Sequence, residues 1–319
     1  MAIDRFWQGM ALCAAGMAGQ ALAANGYYVN PDSTAARWVE QHASDSRAAL
    51  IKASIADVPT ARWFTGSSQS TGALKHAVAS YTTAAQAAEK VPILVAYNIP
   101  GRDCAGGASA GGASNAADYR EWIGQFIGGI GARQALVILE PDAIADLGCL
   151  AADKQTERLA LLQSAITAFA SQAPAAKVYL DAGNAYWQPA ATVAKALNQA
   201  GVKAASGFAL NVSNYYTTAQ SQAYAGQVNG ALSGANGYTK PWLIDTSRNG
   251  KGANPGDWCN PSGRKLGVTP QALSSTVLAV WAKVPGNSDG ASSPTTDCHG
   301  GPAAGVFSPA LAVKLINGG

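Results

Sequence analysis

Short apolar runs recur along this chain and alternate with longer stretches of helical periodicity. The runs span 26–29, 60–64, 93–97, 136–139, 178–181, 207–211, 242–245 and 277–284. Each has the length of a strand and is bounded by turn-forming residues. Between them lie alanine-rich segments with apolar positions every three to four residues, at 34–52, 70–90, 116–132, 153–171, 190–200 and 218–232. This β-α-β-α order predicts an α/β fold with a parallel sheet covered by helices. Seven or eight such units in one domain favour a β/α barrel over an open sheet. No Gly-x-Gly-x-x-Gly follows a strand, so a dinucleotide fold lacks its fingerprint. The stretches 101–114, 248–269 and 285–302 are long and rich in Gly, Ser and Pro, and long loops of this kind are usually functional.

Composition narrows the setting. A chain of 319 residues with 48% hydrophobic content can bury one large core, and barrels reach this size as a single domain. Charged residues make up only 13%, the net charge is +3 and no Lys/Arg run occurs. Nucleic acid and anionic membrane surfaces are therefore excluded as expected partners. Arg5, the apolar stretch 9–18 and the small residues Ala21 and Ala23 have the form of a secretory signal over 1–24, although Asp4 dilutes its basic start. The apolar run is too short to span a bilayer. A mature catalytic domain over 25–319, secreted to an extracellular or periplasmic space and monomeric, is the expectation. Cys13 would leave with the leader. Cys104, Cys149, Cys259 and Cys298 then remain, enough for two disulfides with three possible connectivities. No Cys-x-x-Cys occurs, and His42, His76 and His299 have no partners at ligand spacing, so neither a metal nor a cofactor is expected.

The chemistry of a β/α barrel gathers at the C-terminal ends of its strands. Asp103, Asp142, Asp181, Asn211, Asn214, Asp245 and Asp289 all fall there, and the opposite ends show no such set. Aspartate also favours strand ends and helix caps for structural reasons, so no single one is decisive. Asp103 and Asp142 each follow an apolar run and each precede a cysteine, and two close carboxyls are the usual equipment for cleaving a glycosidic bond. Asp245 is read as a structural ion pair with Arg248. Trp63, Trp187 and Trp258 fall at strand ends or in the same loops, where aromatic faces suit sugar rings, whereas Trp38, Trp122 and Trp242 read as core. Ser109 and Ser288 sit in Gly-x-Ser-x-Gly matches without the strand–turn–helix context of a nucleophile elbow.

Six stretches carry a resemblance: Tyr97-Asn98-Ile99-Pro100-Gly101-Arg102-Asp103-Cys104, Glu140-Pro141-Asp142, Tyr179-Leu180-Asp181-Ala182-Gly183, Asn211-Val212-Ser213-Asn214-Tyr215, Asp245-Thr246-Ser247-Arg248-Asn249-Gly250 and Pro285-Gly286-Asn287-Ser288-Asp289-Gly290. In this order the chain resembles glycoside hydrolase family 6, the inverting cellulases. The resemblance implies a distorted parallel β/α barrel that hydrolyses β-1,4-glucan or cello-oligosaccharides without a cofactor. It implies Asp142 as general acid, Asp103 as the carboxylate that raises the acid's pKa and helps order the water, and Asp289 as the candidate base. Tyr97 would lie beneath the sugar at the cleavage point. Trp63 and Trp258 would grip the non-reducing side and Trp187 the leaving-group side, with Lys283 bonding sugar hydroxyls. Asp181, Asn211, Asn214 and Asn287 stand at substrate-binding positions of the same motifs. The implied disulfides are Cys104–Cys149 and Cys259–Cys298. Two positions depart from the family pattern: Asn184 replaces a histidine, and Asn287 a glutamate. The stretches 103–119 and 289–307 are short for a roofed tunnel, which favours endo over exo cleavage. A non-catalytic glucan-binding protein, the rival reading, would leave Asp103, Asp142 and Asp289 without a purpose.

Overall fold

A computed structural model describes residues 26–66, 71–104 and 109–319; the expected leader at 1–24 lies outside them. Seven strands run parallel in chain order: β1 (Arg62–Thr65), β2 (Ile93–Tyr97), β3 (Ala135–Leu139), β4 (Ala176–Asp181), β5 (Gly207–Leu210), β6 (Trp242–Asp245) and β8 (Val277–Val280). The two-residue β7 (Gln271–Ala272) pairs antiparallel with β8 at the sheet edge. The helices are α1 (Thr34–Gln41), α2 (Ala48–Ile51), α3 (Thr71–Ala87), α4 (Ala116–Ile130), α5 (Ala152–Gln172), α6 (Ala190–Gln199), α7 (Thr218–Asn236) and α8 (Pro309–Asn317). One helix, α3 to α7 in turn, follows each of β1 to β5, and a long loop replaces the helix between β6 and β7.

The continuous apolar runs exist because both sheet faces are covered. Alternate residues point to opposite faces of a strand. Leu94, Ala96, Val137, Leu139, Leu180, Phe208 and Leu210 pack outward with helical residues such as Val78, Phe126, Leu162 and Val228. Val95, Tyr97, Leu136, Ile138, Tyr179, Leu243 and Val280 fill the interior of the curled sheet. A third cluster, with Ala35, Ile51, Ile55, Val284 and Ala312, joins the N-terminal helices to α8.

The barrel is distorted where β1 should meet β8. No ladder forms there. The Ala61 amide donates to the Trp281 carbonyl at 2.8 Å, and the Trp63 indole N–H donates to the Ala282 carbonyl at 2.7 Å. The expected strand 277–284 accordingly stops at Val280, because its last residues have no neighbouring strand to pair along.

Two further expectations change. Segment 26–29 forms no strand but a bridge of Tyr27 to Val91, entered through Gly26 at a φ of 70°. The helix expected at 34–52 breaks after Gln41. There the Asp45 carboxylate accepts from the Arg47 amide and guanidinium at 2.7–2.9 Å, a local alternative to helical bonding. The chain restarts as α2 and passes into a π-turn at Lys52–Ala56. Trp122 is buried in the core, while Trp38 and Trp242 pack at its margins.

Candidate active site

Left-handed backbone, uncommon for residues with a side chain, concentrates at the C-terminal strand ends. Asp103 (φ 56°), Glu140 (48°), Asp142 (70°), Asn211 (66°) and Ser213 (56°) all adopt it. Each is held there by hydrogen bonds or covalent links between neighbouring loops.

After β3, buried Glu140 points sideways, and its Oε2 accepts from the Asn98 and Ile99 amides, both at 2.8 Å. This fixes the start of the Asp103 loop against β3. Arg102 lies over the Tyr97 ring at 4.4 Å and donates to the carbonyls of Tyr97 and Ser109. Asp103 Oδ2 accepts from the Ser109 amide at 2.7 Å. Arg158, buried on α5, donates to Pro100 O at 3.1 Å, Gly101 O at 2.7 Å and Ala143 O at 3.4 Å. One guanidinium thus ties the loop bearing Asp103 to the loop bearing Asp142. The Cys104–Cys149 disulfide joins the same two loops.

A second carboxyl holds the backbone of Asp142. Its amide donates to Asp181 Oδ1 at 2.9 Å, and the Gly183 amide reaches the same oxygen at 3.0 Å. Burial pushes the Asp142 carboxyl well above the usual carboxylate range, and Asp181, Asp103 and Asp146 add like-charge repulsion in that order. Asp103, expected to raise the acid's pKa, acts in that direction, after burial and Asp181. Burial also lifts Asp181 to about 7. Asp146 rises to about 6 through burial and then Asp103, and burial lifts Glu140 to about 7 against its two amide donors. Tyr97 is pushed up by burial and by Asp142 and Asp103, which places its phenol in the field of both carboxyls.

Asp289 sits in the opposite electrostatic setting. Its Oδ2 accepts from Arg248 Nη1 at 2.8 Å, the Tyr215 hydroxyl at 2.9 Å and the Asn260 amide at 3.1 Å. Its Oδ1 accepts from Lys283 Nζ at 2.9 Å. Burial opposes its ionisation, but Arg248 and Lys283 outweigh burial and hold it well below the ordinary range.

Several sequence expectations are corrected by these contacts. Arg248 makes its ion pair with Asp289, not Asp245. Asp245 accepts instead from the amides of Ser213 and Ser247 at 2.9 Å, Ala282 at 3.3 Å and Lys283 at 3.2 Å, which gather three loops around it. Asp181 and Asn211, read as sugar ligands, are 1% and 0% exposed. Asn211 spends its amide on Asp245 O and Tyr216 N, at 2.8 and 3.0 Å, so it shapes a loop and does not face the cleft. Ser288 Oγ donates to Pro302 O at 2.7 Å inside a buried network, which is no setting for a nucleophile.

The remaining positions are partly accessible. Asn214 is half-buried, and Lys283 spends two of its three protons on Asp289 and Ser288 O. Asn287 Oδ1 accepts from Thr34 Oγ1 at 2.6 Å, which turns it toward α1. Trp63 meets Tyr97 edge to face at 5.5 Å, and Trp187 is 36% exposed after β4. Trp258 bonds Thr295 Oγ1 at 3.3 Å beside the Cys259–Cys298 disulfide. The nearby rim carries a His299–Asp257 pair at 3.0 Å. Donor atoms of Cys104, Asp146 and Cys149 lie close together, but both sulfurs are committed to the disulfide and offer no thiolate. Glu140, Asp146 and Arg158 were missed as site residues. Glu140 lay inside a quoted motif and Asp146 four residues past Asp142, but nothing marked Arg158.

Residues 17–318 match the family described as Glycosyl hydrolases family 6. This chain belongs to glycosyl hydrolase family 6. Within the family it is 49% identical over 294 residues to endoglucanase 1 of Streptomyces halstedii, covering 92% of this chain and 89% of that one. It is 42% identical to endoglucanase A of Cellulomonas fimi, over 91% of this chain and 61% of that one. A solved structure, the endoglucanase Cel6 of Mycobacterium tuberculosis in complex with methyl-cellobiosyl-4-deoxy-4-thio-β-D-cellobioside, superposes with a TM-score of 0.84. It shares 38% identity, over 93% of this chain and 98% of that one. The fold of this family 6 enzyme is the distorted β/α barrel that its sequence motifs implied.

Proposed function

We propose that this family 6 glycoside hydrolase is an endo-acting β-1,4-glucanase that cleaves with inversion, with Asp142 as the general acid. The observation that carries the assignment is the half-buried Asp142, whose backbone amide is held by the Asp181 carboxylate, with Asp103 on the adjoining loop. A general acid must stay protonated near the working pH, and burial beside like charges does this. Inversion then requires a water on the opposite face of the sugar. Asp289 accepts four hydrogen bonds from two cations, a phenol and an amide, which makes it a weak proton acceptor. We assign it the task of holding Lys283 and Arg248 in place, with the water ordered on the Asp103 side. Tyr97, Trp63, Trp187 and Trp258 supply aromatic surface around the carboxyls. The relatives named above are endoglucanases, which supports the endo reading. Two formed disulfides and the leader-like start support export; we take residues 25–319 as one catalytic domain that acts as a monomer. Among the described residues, no helix is long and apolar enough to cross a membrane.

Soluble carboxymethyl cellulose tests the reading. Endo cleavage drops viscosity steeply while few reducing ends appear. Slow viscosity loss with cellobiose as the dominant early product would instead indicate exo action. Asp142→Ala should cost about 10²–10⁴-fold on glucan and less on aryl glycosides whose leaving group needs no proton. An equal loss on both would remove Asp142 as the acid.

A further inference from the structure

The loops after β4 and β5 carry a pair of rings that the reaction itself does not use. Tyr186 is 68% exposed, the most exposed large hydrophobic side chain among the described residues, and it adjoins Trp187 in sequence. An exposed ring is ordinarily free to rotate, yet this one is held. Tyr216, on the neighbouring loop, stacks on it at 4.9 Å with 24° between the planes. Gln220, in the first turn of α7, donates from Nε2 to the Tyr186 hydroxyl at 3.4 Å. Below the rings, the Tyr186 amide donates to Asn184 Oδ1 at 3.1 Å and the Tyr216 amide to Asn211 Oδ1 at 3.0 Å. The Tyr216 carbonyl accepts from Asn249 at 3.2 Å. Asn184, one of the two departures from the family pattern, therefore anchors the backbone of this ring.

A rigid aromatic ring, backed on one face and open to solvent, suits the apolar face of a pyranose and loses little entropy on binding. It adjoins Trp187 in the loop after β4, at the C-terminal rim of the barrel, the end at which the proposed acid Asp142 follows β3.

We propose that Tyr186, backed by Tyr216, forms an additional glucosyl-binding subsite beyond Trp187 at the β4–β5 end of the cleft. Its ligand is a β-1,4-linked glucose unit of a chain already seated over Asp142. The inference rests on the reading of this enzyme as a β-1,4-glucanase.

End-labelled cellohexaose and cellotetraose, compared in wild type, Tyr186→Ala, Tyr186→Phe and Tyr216→Leu, test it. The longer substrate can fill this subsite while occupying more positions on both sides of the cleavage point. Tyr186→Ala should lower the ratio of kcat/KM for cellohexaose over cellotetraose about three- to tenfold. It should also move the cut in cellohexaose toward the end the subsite had held. Tyr186→Phe should keep the wild-type ratio, and Tyr216→Leu should give an intermediate fall. An unchanged ratio and cut position in Tyr186→Ala overturns the proposal, as does an equal loss on both substrates with a lowered Tm, which would make the ring pair a loop brace. Loss of self-association in Tyr186→Ala with an unchanged ratio would assign the surface to a second copy and overturn it too. A wild-type enzyme that cleaves neither oligosaccharide overturns the glucanase reading itself, a distinct result.

Discussion

The amide of Asp142 donates to Asp181 Oδ1 at 2.9 Å, so the backbone of the proposed acid is held by a second carboxyl that solvent does not reach. Asp181→Asn keeps the accepting oxygen and removes the charge. With less like-charge repulsion the acid loses its proton at lower pH, so the alkaline limb of the kcat profile should move acidward. Asp103→Asn should move it in the same direction by less, because Asp181 contributes more to the shift. A kcat–pH series on all three proteins checks the order. An unmoved limb in Asp181→Asn, with folding intact, would remove Asp181 from the acid's environment.

Stability should fall as pH rises from about 4 to 7. Asp181 and Glu140 titrate at about 7 in the folded protein and Asp146 at about 6, against ordinary carboxyl values of about 4 in the unfolded chain. The folded state therefore binds more protons in that window, and the advantage present below about 4 is lost as pH climbs through the folded values. Asp289 acts oppositely: its contribution is present above about 4 and is lost only as pH drops well below. Urea midpoints at pH 4.5, 6 and 7.5 should descend, and Glu140→Gln should flatten the descent. A rising series would contradict these shifts.

Arg158→Met should disturb catalysis at a distance. It strips donors from three carbonyls on the two carboxyl-bearing loops, at a cost of about 2–4 kcal/mol. The expected signature is a lower Tm with kcat falling more than KM rises, since the strap spaces the carboxyls and does not touch sugar. Arg158→Lys should recover part of kcat. Equal kcat in Arg158→Met and wild type would show that the disulfide alone holds the spacing.

Reduction of Cys104–Cys149, which spans 45 residues, should remove about 4 kcal/mol on the chain-entropy account. Activity should decline along with the melting temperature, because the same link joins the Asp103 and Asp142 loops. Full activity in the reduced, folded enzyme would confine the bond to stability.

The sequence was most legible where burial on two faces left only apolar residues. The runs at 93–97 and 242–245 coincide with β2 and β6 to the residue. Legibility fell where local polar chemistry intervenes, as at Asp45, whose pairing with Arg47 ends a helix that periodicity would have continued. Both cysteine pairings implied by the resemblance are the ones formed. Within the site, a motif shows that a polar residue belongs at a strand end but not where it points, which is why Asp181 and Asn211 read as sugar ligands. Arg248 illustrates the same limit: a partner three residues away looked natural, yet the carboxylate it binds lies 41 residues on. The leading role of burial over charge at Asp142 is a property of the packed interior and has no signature in spacing.

The gap between β1 and β8 makes the barrel a clasped ring and not a woven one. Its circumference is completed by one main-chain bond and by the indole of Trp63, whose ring edge also meets Tyr97. Opening the clasp costs about two hydrogen bonds, where a full ladder would cost several. Trp63 is thus a fastener and, in the function proposed above, a sugar wall as well: Trp63→Phe keeps the aromatic face and releases the fastener, so the proposed grip on the sugar and the closure of the ring become separable at a single atom.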